Sequence, residues 1–268
     1  ACLALAVAPT PSRGSVQAWQ FAVGQGDCAL LRLPDGWSCL IDTGPGWRTG
    51  SGPLERDVLP FLKRIGVRRL DAVVLTHGHD DHTGGAAALA GAVPVGHWFA
   101  GGRAAAPGVS ALRPLAGDTL HAAGDWSLVC LYPPADLALT DENDQSVVLG
   151  LCRGDSLRAL WSGDLEGPGE AVLLPVLPPV PARGCDLWKA GHHGSSTSGS
   201  GDLLELLRPG AILVSCGVAN RHEHPSHGPY VARAETLTTL RTDLQGTIRV
   251  QWDDDGRCRI APRRAGVP

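Results

Sequence analysis

The segment Thr76–Gly85 reads THGHDDHTGG and places His77, His79, Asp80, Asp81 and His82 within six consecutive positions. Neutral imidazoles and carboxylates are the ligands of zinc, manganese and iron. His77 and His79, two apart, can grip one cation. Asp81 and His82, adjacent, can grip a second one nearby. Asp80 is read as a bystander, turned to solvent or bracing a neighbour. A polar surface loop that merely happens to hold histidines is the bland alternative. It is disfavoured by concentration, since three of the chain's ten histidines fall in these six residues.

Three further stretches place metal-type residues after apolar runs: Asp164, the pair His192-His193, and His224. A carboxylate such as Asp164 can bridge two cations, one oxygen to each. Either His192 or His193 can complete the second site; His192 is preferred, with His193 facing substrate. Asp27 and Asp42 sit beside glycines at strand edges. Turn chemistry explains each singly, but near a metal loop they can brace the ligands.

The elements that must carry these residues follow from hydrophobic periodicity. Val16–Val23, Asp27–Leu33 and Trp37–Ile41 read as strands, punctuated by Gly24-Gln25-Gly26 and Pro34-Asp35-Gly36. Leu54–Ile65 has helical spacing with Pro60 inside it, so the helix is kinked there or begins near that residue. Leu70–Leu75 is a buried strand that delivers the histidine loop, and a helix at Ala86–Ala90 and a strand at Val95–Phe99 follow. Gly101–Gly117 is a surface loop. Trp126–Leu131, Ser146–Leu151 and Leu157–Trp161 read as strands of a second sheet, followed by a helix around Glu170–Leu174. Asp186–Ala190 is a short strand, Asp202–Leu207 a helix and Ala211–Cys216 a strand. Asn220–His227 is a loop with three histidines, Tyr230–Leu240 a final helix and Gly246–Trp252 a final strand. The expected fold class is α/β: two sheets between helical layers, built from two similar halves.

The chain has 268 residues, 43% of them apolar, and a net charge of −4. That suits one large domain with a sizeable core. The overall charge does not call for a nucleic-acid partner, and the local cluster Lys63, Arg64, Arg68, Arg69 reads as a solvated helix end. Residues 1–15 are expected to be the tail of a preceding membrane segment or a linker, and 16–268 one domain. Ala1–Pro9 is apolar but too short to span a bilayer, which needs about 20 residues. The eight cysteines form no CxxC pair and read as buried free thiols.

FAVGQGDCALLRLPDGWSCLIDTG, LDAVVLTHGHDDHTGG, NDQSVVLGL, WSGD, WKAGHHGSS, SCGVANRHEHPS and GTIRV occur in that order. Together they resemble the metallo-β-lactamase superfamily, and within it the C-terminal nuclease-like domain of ComEC, the DNA-uptake channel of bacterial competence. HGHDDH alone marks only the superfamily; VGQGD and KAGHHGS are the branch-specific segments. The resemblance covers about Val16 to Val250. It implies a four-layer αβ/βα sandwich and two divalent metal ions, Mn or Zn with Mn favoured. His77 and His79 would bind one metal and Asp81 and His82 the other, with Asp164 bridging and His192 or His193 completing the second site. His224 would lie near the substrate phosphate. Ser146 and Ser195, like Asp27 and Asp42, would contact ligands or substrate. The superfamily usually has a further histidine before the Ser146 strand; here Glu142-Asn143-Asp144 stands there, so Asn143 is a weak ligand and the first site looser. Asp81, Asn143 and His224 are the expected catalytic groups.

The implied function is a metal-dependent nuclease acting on incoming double- or single-stranded DNA during competence uptake, degrading one strand so that the other is imported. The membrane channel would be part of the same polypeptide, the domain would lie on the extracytoplasmic face of the cell membrane, and no nucleotide cofactor is expected. Two rival readings stand beside it. One is a hydrolase of a small phosphodiester, ester or lactone on the same scaffold. The other is a non-catalytic module that guides DNA.

Overall fold

The computed structural model describes residues 14–47, 51–226 and 237–262. The segment Ala1–Pro9 and most of the expected helix at Tyr230–Leu240 lie outside them. In the N-terminal half, β1 (Val16–Gln20), β2 (Ala29–Arg32), β3 (Ser38–Ile41), β4 (Leu70–Leu75) and β5 (Val95–Ala100) form most of the first sheet. The second sheet takes β6 (Thr119–Ala123), β7 (Trp126–Tyr132), β8 (Val148–Arg153), β9 (Ser156–Trp161), β10 (Leu187–Lys189), β11 (Ala211–Val214) and β12 (Thr238–Arg241). The chain then returns to the first sheet with β13 (Ile248–Trp252) and β14 (Cys258–Pro262).

Each sheet has seven strands, in the orders β14-β13-β1-β2-β3-β4-β5 and β12-β11-β10-β9-β8-β7-β6. Both begin as an antiparallel meander and end in parallel strands, β3-β4-β5 in one and β9-β10-β11-β12 in the other. This is the repeated-half organisation expected from the sequence.

Alternation along the strands explains the layers. In β3, Cys39 and Ile41 point into the space between the sheets, whereas Leu40 points outward. In β11, Ala211 and Leu213 face inward and Ile212 and Val214 outward. Both faces are buried, so the strands read as continuous apolar runs. Helices α1 (Leu59–Arg64), α2 (Asp80–Thr83), α3 (Ala86–Ala92), α4 (Gly167–Leu173) and α5 (Gly201–Leu207) include the covering layers. Phe61, Leu62 and Leu89 cover the outer face of the first sheet. Leu173, Leu203 and Leu207 cover the second. Three cores between four layers result.

Pro60 acts as a register switch. A π-type turn at Leu54–Val58 runs straight into α1 at Leu59, because proline has no N–H for the preceding turn. The expected final helix is corrected at its end: Thr238–Arg241 is a strand that pairs in parallel with β11. Two edge strands, β6 and β14, were not expected. Among the described residues no helix is long and apolar enough to cross a membrane, and seven cysteines are free.

Candidate metal centre

The carboxyl ends of the parallel strands of both sheets carry the polar cluster, as expected for parallel sheets. Asp42 follows β3, Thr76 and His77 follow β4, Asp164 follows β9, His192 and His193 follow β10, and Ser215 follows β11. The loop carrying Asp27 packs directly on the histidine loop, with the Asp27 amide donating to the Asp81 carbonyl over 3.1 Å. Gly26 makes this approach possible. Its φ is +148°, and a side chain there would overlap the Asp81 carbonyl oxygen.

The cluster divides into two donor groups that share Asp164: His77, His79 and Asp164, and Asp27, His82, Asp164 and His193. In the first, His77 Nε2 lies 3.1 Å from His79 Nδ1 and 3.8 Å from Asp164 Oδ2. In the second, His82 Nε2 lies 3.1 Å from Asp164 Oδ1 and 3.3 Å from His193 Nε2. His193 Nε2 lies 3.2 Å from Asp81 Oδ2 and 3.5 Å from Asp164 Oδ2.

The outer nitrogens of three rings are already engaged. His82 Nδ1 donates to Asp42 Oδ2 over 2.8 Å. His193 Nδ1 donates to the Ser215 carbonyl over 3.0 Å. The Thr76 hydroxyl donates to Asp42 over 2.9 Å and so accepts from His77 Nδ1 over 3.2 Å. Each ring therefore turns its Nε2 toward Asp164. Neutral, these nitrogens are bare acceptors, and Asp164 Oδ1 is buried without a hydrogen-bond partner. A cage of facing acceptors is unfavourable unless cations fill it. The donor set thus fits two divalent ions bridged by Asp164.

The electrostatics agree. Burial disfavours charge on His82, yet Asp164 and Asp42 outweigh it and raise its pKa well above the ordinary value. Burial likewise opposes charge on His193, and Asp164 with Asp81 raises it to about 9. Without metal, then, the carboxylates hold protons on these rings. His77 goes the other way: burial, then the neighbouring His82, keeps it well below the ordinary value.

The pair after β10 runs against the preference stated from the sequence, since His193 and not His192 joins a donor group. Both residues have left-handed backbone, φ 45° at His192 and 51° at His193, which splays their side chains. His193 enters the cluster. His192 turns its Nδ1 to Glu166 Oε1 at 2.7 Å. Glu166 also accepts from Thr197 Oγ1 at 2.8 Å and from Asn143 Nδ2 at 3.3 Å.

The other expected residues fall as follows. Asn143 Nδ2 donates to Glu166 Oε1 over 3.3 Å, beside the His192 ring that shares that acceptor, and its buried Oδ1 has no hydrogen-bond partner. Ser146 Oγ accepts from the Asp164 amide over 3.1 Å and so braces that residue. Ser195 bonds within the 195–198 turn, through Thr197 and Ser198, behind the histidine pair. Asp80 accepts from the Gly46 amide, at the cleft wall. Asp27 approaches the Nδ1 atoms of His82 and His193 at 3.9 and 3.8 Å, but its carboxylate is ion-paired with the buried Lys189. It braces the cluster rather than completing it.

His224 lines a cavity of about 670 Å³ with Gln25, His79, Asp81, Asp164 and His192. Burial, then His192 and His193, lowers its pKa to about 4, so its ring is neutral. Sequence reasoning did not single out Thr76, Glu166, Lys189 or Ser215. Lys189 had a signal, since a lysine inside an apolar strand needs a buried partner.

The Metallo-beta-lactamase superfamily matches residues 22–244. The chain belongs to that superfamily. It is 31% identical over 255 residues to ComE operon protein 3 of Bacillus subtilis, covering 86% of this chain and 32% of that protein. It is 32% identical over 245 residues to Competence protein ComA of Neisseria gonorrhoeae, covering 89% and 32%. The chain thus spans about a third of these curated relatives. Among solved structures, Igni18, a metallo hydrolase from the archaeon Ignicoccus hospitalis, aligns over 92% of this chain and 100% of its own, with TM-score 0.51 and 16% identity. That likeness shows the fold alone. The superfamily fold and the donor cage together support a metal-dependent hydrolase with a binuclear divalent site.

Proposed function

We propose that this domain hydrolyses phosphodiester bonds of DNA, single- or double-stranded, during competence uptake, removing one strand as the other is imported. The observation that carries the reading is the shared carboxylate, Asp164, between two imidazole-rich donor groups that open on one cleft. One relative is named a competence protein, and with the motif resemblance to a DNA-uptake channel this directs the reading toward DNA. His77, His79 and Asp164 would hold one cation; Asp81, His82, His193 and Asp164 the other. Imidazole with carboxylate suits zinc or manganese, and manganese is favoured. When bound, such ions acidify water and neutralise charge on phosphoryl oxygens. Asp42, Thr76 and Ser215 hold the imidazole tautomers. His224, kept neutral, offers a hydrogen bond to the phosphate, and the leaving oxygen takes its proton from water.

In the full-length protein we place this domain on the extracytoplasmic face, joined to a membrane channel in the same polypeptide, and working without a nucleotide cofactor. The test uses labelled single- and double-stranded DNA with chelated protein and with Mn²⁺-, Zn²⁺- or Mg²⁺-loaded protein, alongside Asp81→Ala and Asp164→Ala. Metal-dependent cleavage lost in both variants, with cooperative unfolding retained, is expected. Folded, metal-loaded protein that leaves DNA intact but hydrolyses a small phosphodiester or a lactone would overturn the DNA reading.

A further inference from the structure

The cleft beside the donor groups has one guanidinium in its described lining. Arg221 lies there with Asn220, His222 and His224. The carboxylates of that described lining are Asp80, Asp81 and Asp164. Arg221 is exposed, and among the described residues it has no carboxylate partner. Its Nε donates to His222 Nε2 over 3.0 Å, which leaves the two terminal nitrogens for a ligand.

The loop that presents Arg221 is held in place. Asn220 donates to the carbonyls of Gly217 and His224 at 3.0 and 2.7 Å and accepts from the His224 amide at 2.9 Å. The Ser226 amide donates to the Gly194 carbonyl, and Ser226 Oγ accepts from the Ser196 amide. The loop is therefore tied to the same turn that carries His193. Such bracing lowers the entropy lost when a ligand is gripped.

Arg221 does not sit against the metal donors. A row of rings separates them: His222 stacks on His224 with centroids 5.6 Å apart, His224 meets His192 at 5.6 Å, and His192 meets His193 at 6.2 Å. A phosphate at the donor groups and an anion at Arg221 would occupy different parts of the cleft. Resting on the phosphodiester reading above, we infer that Arg221 binds a second substrate phosphate, flanking the one attacked. It is then the residue that favours a polynucleotide over an ester with a single phosphate. Guanidinium and phosphate pair through two parallel hydrogen bonds, which an ammonium cannot reproduce.

The test compares metal-loaded wild type with Arg221→Gln and Arg221→Lys on two probes. One is an oligothymidylate; the other is bis(4-nitrophenyl) phosphate, which has one phosphate. For the oligonucleotide, KM is expected to rise about tenfold to a hundredfold in Arg221→Gln, with Arg221→Lys between. For the small ester, KM stays within about twofold. The salt dependence of oligonucleotide binding, followed by fluorescence anisotropy on a slowly cleaved phosphorothioate strand, loses about 0.7 in log–log slope. Unchanged oligonucleotide KM and salt slope in Arg221→Gln, or equal losses on both probes, would overturn the inference. If wild type cleaves no DNA, the nuclease reading fails, and anisotropy still decides the role of Arg221: equal binding by wild type and Arg221→Gln, or no binding by either, rejects it.

Discussion

Lys189→Met is the perturbation that most directly probes how the cluster is held together. Lys189 is 1% exposed. Its ammonium pairs with Asp27 and donates to the Gly163 carbonyl over 3.0 Å. Burial disfavours that charge, but Asp27, with Asp164 and Asp42 adding to it, outweighs burial and raises the lysine pKa. Around the donors, the carboxylates of Asp27, Asp42, Asp81 and Asp164 stand against this one ammonium. Methionine fills a similar volume and removes the charge, leaving Asp27 buried without its ammonium and with the more distant His82 and His193 rings, at 3.9 and 3.8 Å, beside it. Breaking a buried pair from one side costs about 3–5 kcal/mol. At roughly 2–4 °C per kcal/mol for a chain of this size, Tm falls by about 6–20 °C. The assay is thermal unfolding by circular dichroism, once in chelator and once with Mn²⁺. The loss is expected to be larger in chelator, because bound cations offset the freed carboxylate. Asp27→Asn combined with Lys189→Met removes both charges and should recover more than half of the lost stability. A Tm change under about 2 °C in Lys189→Met, or a double variant no more stable than the single one, would refute the argument.

Three further outcomes follow from the same geometry. Asp42→Asn replaces the charged acceptor of His82 Nδ1–H and of the Thr76 amide and hydroxyl; Mn²⁺ affinity by titration calorimetry should drop about 10–100-fold, with unfolding still cooperative. The metal-free protein should lose stability as pH rises: the folded pKa of His193 is about 9 against an ordinary 6.5. Its stabilising contribution is therefore full below about 6.5 and lost as pH passes through about 9. Metal binding runs oppositely, because it needs neutral rings. Calorimetry in buffers of different ionisation enthalpy should show release of about two protons at pH 7, from His82 and His193. Release of none would contradict the protonated cage.

The inner strands were legible because both faces are buried and the apolar runs are unbroken. β6 and β14 were not, since edge strands are half-exposed and carry weak alternation, as in Thr119–Ala123. Tyr230–Leu240 reads as a helix, yet Thr238–Arg241 pairs with β11, which places the end of that stretch in the sheet; tertiary context overrode local spacing. The histidine loop was legible because its donors are neighbours in the chain. Asp164 was legible as a carboxylate closing an apolar strand.

What the sequence determined by itself was the set of local chemistries: His77, His79, Asp81 and His82 on one turn after one strand, and the layered α/β order around them. Only the tertiary structure decided which distant groups complete that turn. Left-handed backbone at two consecutive residues sent His193 into the cluster and His192 to Glu166. Packing of the two sheet ends brought Lys189 onto Asp27, and the parallel pairing of β10 with β11 set Ser215 behind His193. Those partners are far apart in the chain. Periodicity fixes which face a side chain takes, whereas which of two adjacent histidines meets a carboxylate on another sheet depends on backbone dihedrals set by long-range packing.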